Sequence, residues 1–146
     1  MARMFTLHEA EALLPSMEGW LRAAIETCKG ASEAEEQLNA LLLRINLAGG
    51  VQIDIGRVAE LKTNKEEQIE LLKQTLGEIE ASGAVLKDLD IGLVDFPTLL
   101  DGEEVYLCWK LGESGIGFWH HTTEGYAGRK QIDRDFLDRH QGSRPM

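Results

Sequence analysis

Leu7, Ala10, Leu14, Met17, Leu21, Ile25 and Cys28 follow one another at spacings of three and four, which sets all seven on one stripe of a helix. The segment Thr6-Leu7-His8-Glu9 ahead of them has the form of a capping box, so the helix is expected to begin at about Leu7. Pro15 removes a backbone donor inside the pattern and predicts a kink or a fresh helical start near Leu14 and Pro15. Cys28 falls on the apolar stripe and is expected in the core, while Lys29 and Gly30 suit a helix end. A second helix is expected from Ser32, with Glu35 completing another box, through Leu38, Leu41, Leu42 and Ile45 to a break at Gly49-Gly50. Val51 to Ile55 alternates apolar and polar residues as a short extended piece would. A third helix, from about Arg57 to Ser82, carries Val58, Leu61, Ile69, Leu72, Leu76 and Ile79 on its stripe, with Lys65 in an apolar slot and Gly83 as its cap.

From Ala84 the helical period fades. Val85 to Leu89, Leu93 to Phe96, Glu103 to Lys110 and Ile116 to His121 are short and β-rich, separated by Gly92, Asp101-Gly102 and Gly112 through Gly115. Such short connections predict an antiparallel meander. The fold class is therefore α+β: long N-terminal helices, as a hairpin or bundle, followed by a small antiparallel β-meander. The whole chain, 1–146, is expected to form one domain, with a helical part over 1–83, a strand-rich part over 84–132 and a C-terminal tail over 133–146.

A four-residue tip at Gly112-Glu113-Ser114-Gly115 would set Trp109 opposite Phe118, Cys108 opposite Trp119 and Tyr106 opposite His121. In that register Val105, Leu107, Trp109, Ile116 and Phe118 cover the helices, with His120 as a polar exception among them. Glu104, Tyr106, Cys108, Lys110, Trp119 and His121 take the other face.

Composition narrows the function classes. At 146 residues and 43% hydrophobic content the chain can bury a core without disulfides. Cys28 and Cys108 form no CxxC pair and no secretory leader precedes them, which fits a reduced, cytoplasmic protein. No apolar run reaches the length of a membrane span. The net charge of −10 repels phosphate backbones, so neither nucleic acid nor a membrane is an expected partner. The heptad-like helical stripes, widened by Leu42, Leu43, Leu71 and Leu86, fit either packing within one chain or a seam completed by a second copy; a homodimer is the expectation.

Reactive side chains concentrate between Gly92 and Ile132. The candidate ligand-binding set is Asp95, Glu104, Tyr106, Cys108, Trp119, His121 and Arg129. No metal set is assigned, because adjacent His120 and His121 point to opposite faces of a strand and no HxxxH, HExxH or CxxC spacing occurs. His121 would need Asp95 or Glu104 brought to it by folding. Cys108 and His121 share a face in the expected register, which makes a thiol–imidazole pair conceivable, against the simpler reading of Cys108 as a small buried hydrophobe. The glycines of GESGIG lack the Lys and Ser or Thr of a phosphate loop. GYAGR delivers Arg129 after a tight path, either as an anion clamp or as a strut to Asp95 or Glu104.

GLVDFP (92–97), DGEEVYLCWKLGE (101–113), FWHH (118–121) and GYAGRKQI (125–132), with FTLHEAEALLP (5–15), together resemble the uncharacterised bacterial family catalogued as domain of unknown function 2203. The resemblance implies no catalytic set, cofactor or substrate. Function accordingly stays unknown at this level. The expectation is a non-enzymatic, self-associating cytoplasmic module binding a protein partner or small ligand; the alternative is a metal-dependent or hydrolytic enzyme with its site on the strand-rich third.

Overall fold

The computed structural model describes residues 3–47 and 55–143. The chain is α+β, with helices α1 (Leu7–Leu47) and α2 (Ile55–Ala81) followed by strands β1 (Val85–Asp88), β2 (Leu93–Leu100), β3 (Glu103–Lys110) and β4 (Phe118–His121). A 3-10 turn at Tyr126–Gly128 leads to β5 (Lys130–Gln131), and helix α3 (Arg134–Arg139) to β6 (His140–Gln141). Two compact units form, one of Met1–Leu21 with Gly77–Met146 and one of Arg22–Leu76.

The capping box closes as its sequence predicts: the Glu9 amide donates to Thr6 Oγ1 at 3.1 Å and the Thr6 amide to Glu9 Oε1 at 3.0 Å. A third residue joins the cap, for His140 Nε2 accepts from the Leu7 amide at 3.0 Å. The first two expected helices are one. α1 runs through Pro15 without a fresh start and through Lys29 and Gly30 without a stop, and Ser32 and Glu35 lie inside it. Gly30 has a packing reason to be where it is. A Cβ there would stand 3.2 Å from Gln68 Oε1, so the bare backbone lets the facing helix come close.

In the unit of Arg22–Leu76 the two helices run antiparallel: Gly30 faces Gln68, Lys65 Nζ reaches Glu35 Oε1 at 3.4 Å, and Arg57 donates to Gln37 Oε1 at 3.0 Å. Among its described residues Ala24, Ala34, Leu38 and Leu61 are the buried apolar ones. Lys65, expected in an apolar slot, is half-buried and ion-paired there. Cys28, expected in the core, is exposed. A stripe spaced every 3.5 residues drifts about 20° per heptad on a 3.6-residue helix, so Ala24 takes the inward place and Cys28 turns out of it. The extended piece expected at 51–55 falls outside the described residues except for Ile55, which opens α2.

The other unit is built on a six-stranded antiparallel sheet in the order β1-β2-β3-β4-β5, with β6 paired to β2. Asp101 (φ 53°) and Gly102 (φ 84°) join β2 to β3 in two residues, both left-handed as a tight hairpin turn requires. Val94, Phe96 and Thr98 share a face with Trp109, Leu107 and Val105, their cross-strand partners, and all six are buried. Phe5 meets Phe96 edge-on at 5.3 Å and Phe136 lies 5.0 Å from Trp119, which closes parts of this face. Residues 133–143, read as tail, hold α3 and β6; Asp133 caps α3 by accepting from the Phe136 amide at 2.8 Å.

The β3–β4 register differs from the expected one by a single residue. Cys108 faces Phe118, Leu107 faces Trp119, Tyr106 faces His120 and Val105 faces His121. The cause lies in the connection. Glu113 folds back on the end of β3, its amide donating to Lys110 O at 3.0 Å, its carboxylate accepting from the Lys110 amide at 2.7 Å and its carbonyl from Trp109 Nε1 at 3.1 Å. Pairing resumes only at Phe118, so the loop has odd length and every side chain of β4 changes face.

Candidate functional site

The changed register replaces His121 by His120 at the centre of the polar face. Asp95 on β2 stands opposite Cys108 on β3, and His120 on β4 stands opposite Tyr106, one diagonal step from Cys108. Asp95, Cys108 and His120 are 1%, 0% and 2% exposed, and one ligand-capable atom from each lies within 4.8 Å of the others.

His120 uses both ring nitrogens. Nδ1 is 2.8 Å from the His121 carbonyl oxygen and Nε2 is 3.0 Å from Asp95 Oδ1. A carbonyl oxygen only accepts, so Nδ1 carries a proton, and the Nε2–Oδ1 contact holds one further proton between ring and carboxylate. Either placement of that proton leaves the pair neutral overall. Asp95 Oδ2 is buried with no hydrogen-bond partner. Burial, and after it the Asp95 carboxylate, pushes the Cys108 thiol up to about 12. His121 lies on the other face and both nitrogens of His120 are committed, so the thiol–imidazole pair weighed for Cys108 and His121 does not form, and Cys108 is the small buried residue of the simpler reading.

Tyr106 borders the cluster, its ring 5.6 Å from that of His120 and 5.0 Å from Lys87 Nζ; desolvation, then Glu104 and Asp95, raises its hydroxyl above the ordinary value. Glu104 shares this face but is exposed at its edge. Trp119 and His121 lie on the opposite face, where their rings meet at 5.0 Å, and His121 is exposed.

Arg129 pairs with neither Asp95 nor Glu104. Its Nη2 donates to Glu113 Oε1 and Oε2 at 2.7 and 3.0 Å, and its guanidinium lies 4.1 Å from the Phe118 ring centroid and 4.8 Å from that of Tyr126. Desolvation is the largest single effect and opposes the cation there, but the hydrogen bond to Glu113 and the charges around the guanidinium together raise the Arg129 pKa. The sequence reading missed His120 and Glu113. A histidine in an otherwise apolar slot, and Asp95 inside the apolar run GLVDF, were the available signals for the first.

Two long helices ahead of a mainly sequential antiparallel sheet, with a sealed Asp–Cys–His cluster on three neighbouring strands, define the class of molecule. The chain belongs to the family described as uncharacterized conserved protein (DUF2203), whose model matches residues 3–132. No curated protein and no solved structure matches it.

Proposed function

We propose that the protein is a non-enzymatic, self-associating module of the cytoplasm, in which the paired helices of residues 22–76 meet a second copy. The observation that carries this reading is apolar surface left in solvent on that unit: Leu43 is 58% exposed, Leu47 77% and Leu71 48%, with Leu42 and Ile55 also exposed. Two antiparallel helices make a single layer, and a layer with apolar residues outward is stabilised by a second layer laid on it. A copy of the same hairpin supplies four helices in all.

The enzyme alternative has less support. Among the described residues the densest reactive cluster is closed to solvent, its imidazole is committed at both nitrogens, and its thiol is held protonated. A substrate needs access to a group with a free lone pair or proton. Cys28 and Cys108 are both free thiols, which suits a reducing compartment, and no helix among the described residues is long and apolar enough to cross a membrane. The net charge of −10 speaks against nucleic acid as the partner.

Sedimentation at several concentrations tests the assembly. A dimer that dissociates when Leu43 and Leu71 are both replaced by Glu, with helicity kept, is the expected result. A wild-type protein that stays monomeric throughout the micromolar range overturns the reading.

A further inference from the structure

We propose that Asp95, Cys108 and His120 form a buried centre for a divalent transition-metal ion of the zinc class, tying β2, β3 and β4 together. The three donors are an oxygen, a sulfur and a nitrogen, one from each of three adjacent strands, and their ligand atoms lie within 4.8 Å of one another. Two ligands at tetrahedral corners about 2.0–2.1 Å from an ion stand about 3.3 Å apart. The His120 Nε2 to Asp95 Oδ1 separation of 3.0 Å is close to that and needs only a small spreading, while the wider 4.8 Å span of the three atoms has to contract toward the roughly 3.6 Å that sulfur and nitrogen or oxygen keep at tetrahedral corners.

Two further observations point to a ligand. Asp95 Oδ2 is buried without a hydrogen bond of normal geometry, and the weak Cys108 thiol donor is the group that faces this carboxylate. Such an atom destabilises the fold where it is left unsatisfied. His120 Nδ1 is held by the His121 carbonyl, which fixes the tautomer and turns Nε2 toward Asp95. A metal-bound histidine is oriented in the same way, its second nitrogen donating to a carbonyl or carboxylate.

The donor set selects the ion. Magnesium and calcium take six or more oxygen ligands, and this cluster offers one carboxylate beside a thiol and an imidazole. Sulfur and nitrogen donors favour zinc and its neighbours among the transition metals. On binding, the thiol S–H bond breaks, a metal–sulfur bond forms and the proton leaves to solvent; the proton shared by Asp95 and His120 is displaced likewise, with no change of oxidation state. Three protein donors leave one corner of a tetrahedron. The centre is structural, because the strands that carry it also seal it.

The test uses the full chain carrying Cys28→Ser, so that Cys108 is the only thiol, expressed in zinc- or cobalt-supplemented medium so that the site fills as the chain folds. Elemental analysis is expected to find one ion per chain. The cobalt form is expected to show a near-ultraviolet thiolate-to-metal band, and the zinc form to melt above the chelator-treated protein. Adding Cys108→Ser removes the band, and His120→Asn lowers metal retention roughly tenfold or more. His121→Ala, at the exposed neighbour, keeps both signals. A folded protein that retains no ion in either medium overturns the proposal, as does a band that survives Cys108→Ser. Should the Cys108 or His120 variants fail to fold, the stoichiometry and band of the Cys28→Ser protein decide alone.

Discussion

Arg129 and Glu113 form a one-nitrogen clamp: Nη2 of the arginine donates to both oxygens of the carboxylate, while the guanidinium plane is held against the Phe118 ring. The arginine side chain is 10% exposed and the glutamate 28%, so water screens the pair only in part. Because Glu113 also holds the end of β3, the clamp joins the segment after the 3-10 turn to the β3–β4 connection.

Arg129→Ala is therefore expected to lower stability by about 2–3 kcal/mol, below the 3–5 of a fully buried pair because Glu113 is partly wet. Arg129→Lys keeps the charge and loses the ring contact, so it falls between. Urea unfolding of the three proteins checks the order; equal midpoints for all three would show that the clamp contributes nothing.

Removing one member of the Asp95–His120 pair strands the other in a closed site. In chelator-treated protein, His120→Ala is expected to cost about 3–5 kcal/mol, whereas Asp95→Val combined with His120→Phe removes both polar groups and recovers much of that loss. A double variant no more stable than the single one would contradict this coupling.

The two cysteines are expected to separate cleanly by reactivity. Cys28 is exposed and modifies at once with a maleimide, while Cys108, buried and held protonated up to about 12, modifies only on unfolding. Mass spectrometry of native protein with a short pulse of reagent should find one label per chain, on Cys28. Prompt label on Cys108 would show that the cluster opens readily.

The N-terminal cap of α1 gives a pH-dependent prediction. The Thr6 amide, against some opposing desolvation, holds the Glu9 carboxyl below its ordinary 4.5. A carboxylate with a lowered folded pKa stabilises the fold fully above its unfolded value and loses that contribution as pH falls through the folded one. The melting difference between wild type and Glu9→Gln should thus shrink as pH is lowered from about 6 to about 3. Thr6→Ala, which removes the hydroxyl acceptor, costs about 1 kcal/mol near neutral pH.

Local patterns were legible in the sequence. The Thr6–Glu9 box, the α2 stripe ending at Gly83 and the Asp101-Gly102 turn each depend on residues a few positions apart, and each forms as expected. Gly30 misled because its role is set by Gln68 on the facing helix rather than by its own neighbours. The β3–β4 register misled for a similar reason. The turn is fixed by the Glu113 carboxylate, itself held by Arg129 sixteen residues further on, and no count of loop glycines reveals that. The choice of His120 over His121, and the loss of Trp119 from the polar face, follow from that one slip.

The pairing of Asp95 with His120 also constrains the order in which the sheet can be assembled. β2 and β3 are joined by two residues and can close early, but the imidazole that pairs with the Asp95 carboxylate arrives only with β4. The contact thereby couples the third strand to the first two, adding to the packing of Val94, Phe96, Leu107 and Trp109 on the other face.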